Sequence, residues 1–286
     1  MRWVSLSPET TLWIDVLGKK SSLIGRSHFC REPAWAAQLP ICTRMGEPQD
    51  WEQYLMPYLP DFRTISSLKP EGVLVSLESP PPDFSPQQIQ TLLQKAVGYS
   101  VRLHSVYAES CANLSAPLRA LGEALGAPNQ ANRWIDQAQA TLKRLRSQAG
   151  SLAPLRVAIV SEDFPVHPLS PWTISVLHEV KLTAIHANRL LTLEKLLEED
   201  PDLVIWSTKG YGIEEAGMQL ARWASYPPIQ SLSAFRKKRL YAFKGITGLF
   251  YLSPQLPQTW EALYELAHTP YARSNRHIGR VWSPLL

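Results

Sequence analysis

The chain has 286 residues, enough for one large domain or for two lobes of roughly 130 residues each. Hydrophobic residues make up 45% and charged residues 19%, which excludes a disordered chain. Lys and Arg exceed Asp and Glu by only four. The cations are dispersed apart from Arg236-Lys237-Lys238-Arg239 and Lys143-Arg144-Leu145-Arg146, which argues against nucleic acid as a partner. No apolar run approaches the roughly 18 residues of a membrane span. Met1–Leu6 enters a strand at once and carries no signal-peptide pattern. The expectation is a chain that stays in the cytoplasm or one whose export segment is missing here.

Trp3–Leu6 is predicted as a buried strand. Ser7-Pro8-Glu9-Thr10 then starts a helix with a cap serine and a first-turn proline, carried on by Leu12, Trp13, Val16 and Leu17 and ended by Gly18. Leu23-Ile24-Gly25 and Pro40-Ile41-Cys42-Thr43 are predicted strands. Ile65–Leu68 reads as a short helix stopped by Pro70, before a strand over Val73–Leu77. Helical spacing runs over Ser85–Val97 through Ile89, Leu92, Leu93 and Ala96, and Val101–Val106 returns to strand. Leu114, Leu118, Leu121 and Leu125 continue in helix. After Gly126 and Pro128 a long helix from about Asn129 to Ala149 follows, about 30 Å at 1.5 Å per residue.

The second half reads as strand Arg156–Val160, helices Ser170–Val180 and Leu193–Leu197, strand Leu203–Trp206, and helices Ile213–Ala224 and Gln258–His268. Strands separated by helices predict parallel-type α/β sheets. Ser67-Leu68-Lys69-Pro70-Glu71-Gly72-Val73-Leu74-Val75 echoes Glu199-Asp200-Pro201-Asp202-Leu203-Val204-Ile205. Each breaks a short helix at a proline, then begins an apolar strand. The expected organisation is therefore two similar lobes, 1–128 and 151–286, joined by one long rigid helix over 129–150.

Catalytic patterns are missing. The seven histidines form no HxH, HExxH or His-Cys cluster at metal spacing, and no nucleophile elbow or phosphate loop occurs. The chain is thus expected to be neither an enzyme nor a metal protein. Gly245-Ile246-Thr247-Gly248 reads as turn chemistry. Cys30, Cys42 and Cys111 are too few for a disulfide scaffold; Cys30 and Cys42 could pair, though single buried thiols fit better. Ten tryptophans, several in loop-like sequence, hint at recognition.

In open α/β sheets, ligands bind beyond the carboxyl ends of the strands. The residues expected there are Ser7, Glu9, Ser27, His28, Phe29, Thr43, Arg44, Glu78 and Tyr107 in the first half. In the second they are Phe164, His167, Trp172, Thr208, Lys209, Tyr211, Phe250 and Tyr251. Facing a cleft between the lobes, this set suits a large, flat, partly apolar ligand.

Val4-Ser5-Leu6-Ser7-Pro8-Glu9-Thr10-Thr11, Val16-Leu17-Gly18 and Leu23-Ile24-Gly25-Arg26-Ser27-His28-Phe29-Cys30 resemble the opening of class III ABC-transporter substrate-binding proteins. These are the helical-backbone receptors for cobalamin, ferric siderophores and haem. Arg26–Pro33 with Leu39–Arg44 is most similar to the cobalamin-binding branch. Ser67–Pro70, Leu193–Ile205 and Leu252-Ser253-Pro254-Gln255-Leu256 carry the likeness across nearly the whole chain.

The resemblance implies two α/β lobes, a connecting helix and a ligand in the cleft. The ligand it favours is a cobalamin-type corrinoid, with an iron chelate or haem as alternative. It further implies a monomer in the periplasm or at the cell surface, docking on an ABC permease dimer through one acidic residue per lobe. Glu194 matches that acid in the second lobe, while Arg63 stands at the matching place in the first. The family's Gly-Gly after the second-lobe helix is replaced by Val180-Lys181-Leu182-Thr183. A cytoplasmic member that stores, senses or hands over a corrinoid is the competing expectation.

Overall fold

The computed structural model describes residues 1–48, 55, 59–76, 86–161, 164–208, 210–245, 247–270 and 272–285. The chain divides into two compact units, one of Met1–Gln137 with Tyr251–Pro254 and one of Ala138–Phe250 with Gln255–Leu286.

In the first unit, strands β1 (Trp3–Ser5), β2 (Leu23–Gly25), β3 (Gly72–Val75) and β4 (Arg102–Ser105) form one sheet in the order β2-β1-β3-β4. Every pairing in it is parallel. Alternation along the strands sends Val4, Val73 and Val75 to one face. There they join Ile65 of α2 (Phe62–Leu68) and Ile89, Leu93 and Val97 of α3 (Pro86–Val97) in a core cluster. The i, i+4 spacing on α3 supplies its apolar stripe. β3 begins with glycine because a Cβ at Gly72 would lie 2.2 Å from the ring of Trp3. Helix α1 (Pro8–Val16) follows β1, and α4 (Ser115–Ala124) precedes the 22-residue helix α5 (Pro128–Ala149). The Trp13 and Trp134 rings meet edge to face at 4.7 Å. Their indole N–H groups donate to the carbonyls of Leu252 at 2.9 Å and Pro254 at 3.2 Å.

In the second unit the order is β6-β5-β7-β8-β9, with β5 (Leu155–Val160), β6 (Leu182–Ala184), β7 (Leu203–Trp206), β8 (Leu240–Phe243) and β9 (Trp282–Pro284). All pairings are parallel except β8 with β9. Helices α6 (Pro171–His178), α7 (Leu193–Glu199), α8 (Ile213–Ala224), two single turns α9 (Pro227–Gln230) and α10 (Ser233–Arg236), and α11 (Leu256–His268) complete it. Ala158, Val160, Val204, Trp206, Leu240 and Ala242 pack with Leu196, Ala216 and Leu220 in its core.

Two expectations need correcting. Pro40–Thr43 is no strand: Arg26 pairs with Ile41 and Thr43 with Pro60 as isolated bridges only. Pro40 has no N–H to give a ladder, and its carbonyl merely accepts from Arg26 N at 2.9 Å. The tryptophans serve mainly the cores, since Trp3, Trp13, Trp134, Trp172, Trp206, Trp260 and Trp282 are all buried. Strands β6, β8 and β9 were not anticipated.

The echo between the halves extends to backbone geometry. Phe62–Leu68 and Leu193–Glu199 have the same length, each capped by an oxygen side chain, Asp61 or Thr192. Each ends on a non-glycine left-handed residue, Lys69 at φ 47° or Asp200 at φ 39°, before a proline. Each then leads into the strand next to the first strand of its own sheet.

Candidate functional site

Because the first sheet is parallel, the loops leaving β1, β2, β3 and β4 gather at one edge. Two hydrogen-bonded clusters build that edge. In the first, Ser5 Oγ donates to the Ser7 carbonyl at 2.9 Å and lies 2.6 Å from Thr10 Oγ1. Thr11 Oγ1 lies 2.8 Å from Ser5 Oγ and 3.1 Å from Cys30 Sγ. Ser5, Ser7, Thr10, Thr11 and Glu9 are all buried. Glu9 sits in the first turn of α1, where the helix dipole favours a carboxylate. Burial, reinforced by the Glu9 charge, pushes the Cys30 thiol up to about 11. The Cys42 thiol, buried and near Asp61, is pushed up to about 12. All three cysteines are free.

The second cluster centres on Thr43, which is 5% exposed. Its Oγ1 donates to Ser27 Oγ at 3.2 Å and accepts from the His28 backbone N–H at 2.8 Å. His28 Nδ1 lies 2.6 Å from the same oxygen. Phe29 N donates to Ser27 Oγ at 3.2 Å, and the His28 and Phe29 rings are 4.0 Å apart. Burial, then the Arg26 guanidinium, lowers the His28 pKa and keeps the ring neutral. Arg44 donates to the Glu47 carbonyl at 3.2 Å, and Tyr107, two residues beyond β4, is half-buried. Glu78 lies outside the described residues.

In the second unit the expected residues divide. Thr208 and Tyr211 follow the end of β7, and the buried Oγ1 of Thr208 and Oγ of Ser207 reach no hydrogen-bond partner. A Cβ at Gly245 would fall 1.7 Å from the Thr208 carbonyl oxygen, and Gly245 N donates to the Tyr211 carbonyl at 2.9 Å. Gly248 likewise would bring a Cβ within 2.6 Å of Leu256 Cα. Gly245 lies in a bend and Gly248 in a turn, as the sequence suggested, and with neither φ positive the missing Cβ serves close approach.

Phe164 stacks on Trp223 at 6.4 Å. Trp172 is 2% exposed and donates its indole N–H to the Gly248 carbonyl at 3.0 Å. Tyr251 is buried, and Phe250 is half-buried. His167 is exposed, and Lys209 lies outside the described residues.

Several groups escaped the sequence reading. The run Ser5-Leu6-Ser7-Pro8-Glu9-Thr10-Thr11 signals its hydroxyl cluster by composition alone. His186, just after β6, gives no comparable signal. It is fully buried, neither ring nitrogen has a partner, and burial, with Arg189 nearby, pulls its pKa down to about 4.

Among the described residues, no group of three or more His, Cys, Asp or Glu could hold a metal ion, and no helix is long and apolar enough to cross a membrane. A cavity of about 760 Å³ in the second unit lies along α11, lined by Arg144, Glu261, Glu265 and His277 among others. The far end of α11 is tied beside the starts of β6 and β8, through His268 to the Val180 carbonyl and Arg239 to the Ala267 carbonyl. That cavity therefore stands apart from the strand ends where the candidate residues collect. Arg63 and Glu194, each second in its helix, are both exposed.

A family profile described as "Periplasmic binding protein" matches residues 4–247. No curated protein matches the chain. Among solved structures, a periplasmic heme binding protein from Pseudomonas aeruginosa is similar at 20% identity and TM-score 0.74, covering 100% of this chain and 98% of the other. The periplasmic vitamin B12 binding protein BtuF of Vibrio cholerae is similar at 18% identity and TM-score 0.70, covering 93% and 95%. IsdE of S. aureus, solved with heme, is similar at 14% identity and TM-score 0.67, covering 93% and 98%.

Proposed function

Since the chain belongs to the periplasmic binding protein family, whose members capture solutes and are not enzymes, we propose that it binds a cobalamin-type corrinoid for ABC-type import. The candidate binding residues of each unit lie in loops that leave the carboxyl ends of its own sheet. The observation that carries this reading is the share of aromatic rings within the candidate set. Phe29, Tyr107, Phe164 and Tyr211 follow strand ends, while Arg44 is the one cation of the candidate set among the described residues. A ferric siderophore, anionic at its periphery, calls for a cationic lining. A corrinoid, large and mostly neutral at its rim, matches aromatic surface. Burying about 300 Å² of apolar ligand surface is worth up to about 7 kcal/mol, from which immobilisation is subtracted.

Isothermal titration with cyanocobalamin, haem and a ferric catecholate siderophore tests this. Tight one-to-one binding of the corrinoid alone is expected. Heat from the iron chelate alone would overturn the ligand class.

Arg63 favours a second reading of the partner. It occupies the place in α2 that Glu194 occupies in α7, so the two units present opposite charges where the resemblance calls for two acids. An arginine facing an arginine repels. A corrinoid-handling member that meets a different partner through α2 fits this charge better. Arg63→Glu should then weaken that partner's binding; stronger association with an ABC permease would instead favour import.

A further inference from the structure

We propose that the cavity along α11 is a binding site for a small multivalent oxyanion, one that carries two or more carboxylate or phosphate groups. The site lies wholly within the second unit and does not depend on the corrinoid reading. Its volume of about 760 Å³ is that of a small-molecule pocket.

Three segments build it. The last turns of α5 bring Arg144 and Gln148, four residues apart and so on one side of that helix. Helix α11 brings Glu261 and Glu265 at the same spacing, and the loop after it returns with Arg276 and His277. Residues 137–150 and 272–281 contain no aspartate or glutamate. Those two segments carry Lys143, Arg144, Arg146, Arg273, Arg276 and Arg280 against the two acids of α11. Of these cations, Arg146 is taken by Glu179 at 2.6 and 2.7 Å.

The carboxylates are spent on the protein itself. Glu265 accepts from the backbone N–H groups of Arg276 at 2.8 Å and His277 at 3.1 Å, and from the Trp282 indole at 3.1 Å. That fills three of its roughly four acceptor positions. Glu261 accepts from Arg144, and its other oxygen lies 3.1 Å from His277 Nε2. The His277 hydrogen bond, then the Arg144 charge, outweigh burial and hold Glu261 below the usual carboxylate range.

The donors are in surplus. A guanidinium has five N–H groups. Arg276 is exposed and its side chain makes no hydrogen bond or ion pair among the described residues. Arg144 uses its donors on Glu261 and, at 3.5 Å, on Gln148, and keeps others. The guanidinium fork matches a carboxylate or phosphate with two parallel bonds. Two such forks, brought by different segments into one cavity, call for an anion with two groups.

Isothermal titration of the full chain with citrate and with pyrophosphate in low salt tests this. One-to-one binding of at least one is expected, weakened by added salt. Arg276→Gln should weaken it about 10-fold without moving the melting temperature, because that side chain makes no bond in the fold. Arg144→Gln should weaken it too, with some loss of stability as Glu261 is released. Lys238→Gln, outside the cavity, should bind as wild type does. Binding of citrate alone assigns carboxylate groups, and binding of pyrophosphate alone assigns phosphate. No binding of either, equal affinity in wild type and Arg276→Gln, or an equal loss in Lys238→Gln overturns the site. Cyanocobalamin titration should be the same in wild type and Arg276→Gln, which keeps this test separate from that of the corrinoid.

Discussion

His186 concentrates an acid sensitivity in one side chain. Its folded pKa, about 4, lies below the ordinary 6.5, so the unfolded chain binds the proton first as pH falls. Stability is unaffected above about pH 7 and declines between 6.5 and 4, by about 3 kcal/mol in total. Asp61 and Asp200 act in a lower window. Burial alone would raise both, but hydrogen bonds from Thr64 and Ser233 hold them below the usual range, so their contribution is lost only as pH drops through those values. Urea midpoints at pH 7, 5.5 and 4.5 should fall stepwise in wild type and change much less in His186→Leu; parallel slopes would refute the assignment.

Trp172 belongs to the same scale. With its indole spent on Gly248 and its ring buried, Trp172→Ala should cost about 3–5 kcal/mol of stability. The test is a denaturant titration run beside the binding isotherm. Lost affinity with unchanged stability would return this residue to the ligand surface.

The paired helices α2 and α7 make a controlled experiment at the level of elements. Both end on a left-handed non-glycine residue, a conformation that costs roughly 1–2 kcal/mol. The Lys69 side chain makes no hydrogen bond among the described residues, so Lys69→Gly should stabilise by up to about 1 kcal/mol. Asp200 differs, because its carboxylate accepts from Ser233 N at 2.7 Å and Ser233 Oγ at 2.5 Å. Asp200→Gly should therefore be neutral or destabilising. Equal thermal shifts from the two substitutions would show that the Ser233 contacts contribute nothing.

These same elements show what the sequence discloses. Helices α3, α5 and α8 and strands β3 and β7 announce themselves by period or by an unbroken apolar run. Strands β6 and β9 are three residues long, too short for any period. β8 sits directly behind Arg236–Arg239, whose charge masks it. The candidate site was legible as residues but not as bonds. Ser27, His28 and Thr43 all stood out, yet the Thr43–His28 pairing joins positions fifteen apart through a loop with no regular spacing. Trp172 looked like a recognition residue because exposure cannot be read from an aromatic beside a proline.

At the scale of the whole molecule, the first unit is not contiguous in the chain. It contains Met1–Gln137 and then Tyr251–Pro254, and the acceptors for Trp13 and Trp134 lie in that late segment. A chain ending at residue 250 should keep most of the first sheet. It should nonetheless unfold earlier, because two buried indole N–H groups lose their acceptors, at about 1–3 kcal/mol each. Tryptophan emission during a thermal ramp checks this, and an unchanged first transition would contradict it.

The late segment also sets an order on biosynthesis. The ribosome releases the first 137 residues long before it makes residue 251. At roughly 5–20 residues per second, the nascent first unit waits about 6 to 23 seconds before those two acceptors are made. For that interval the first unit lacks the two carbonyls that Trp13 and Trp134 use in the finished fold.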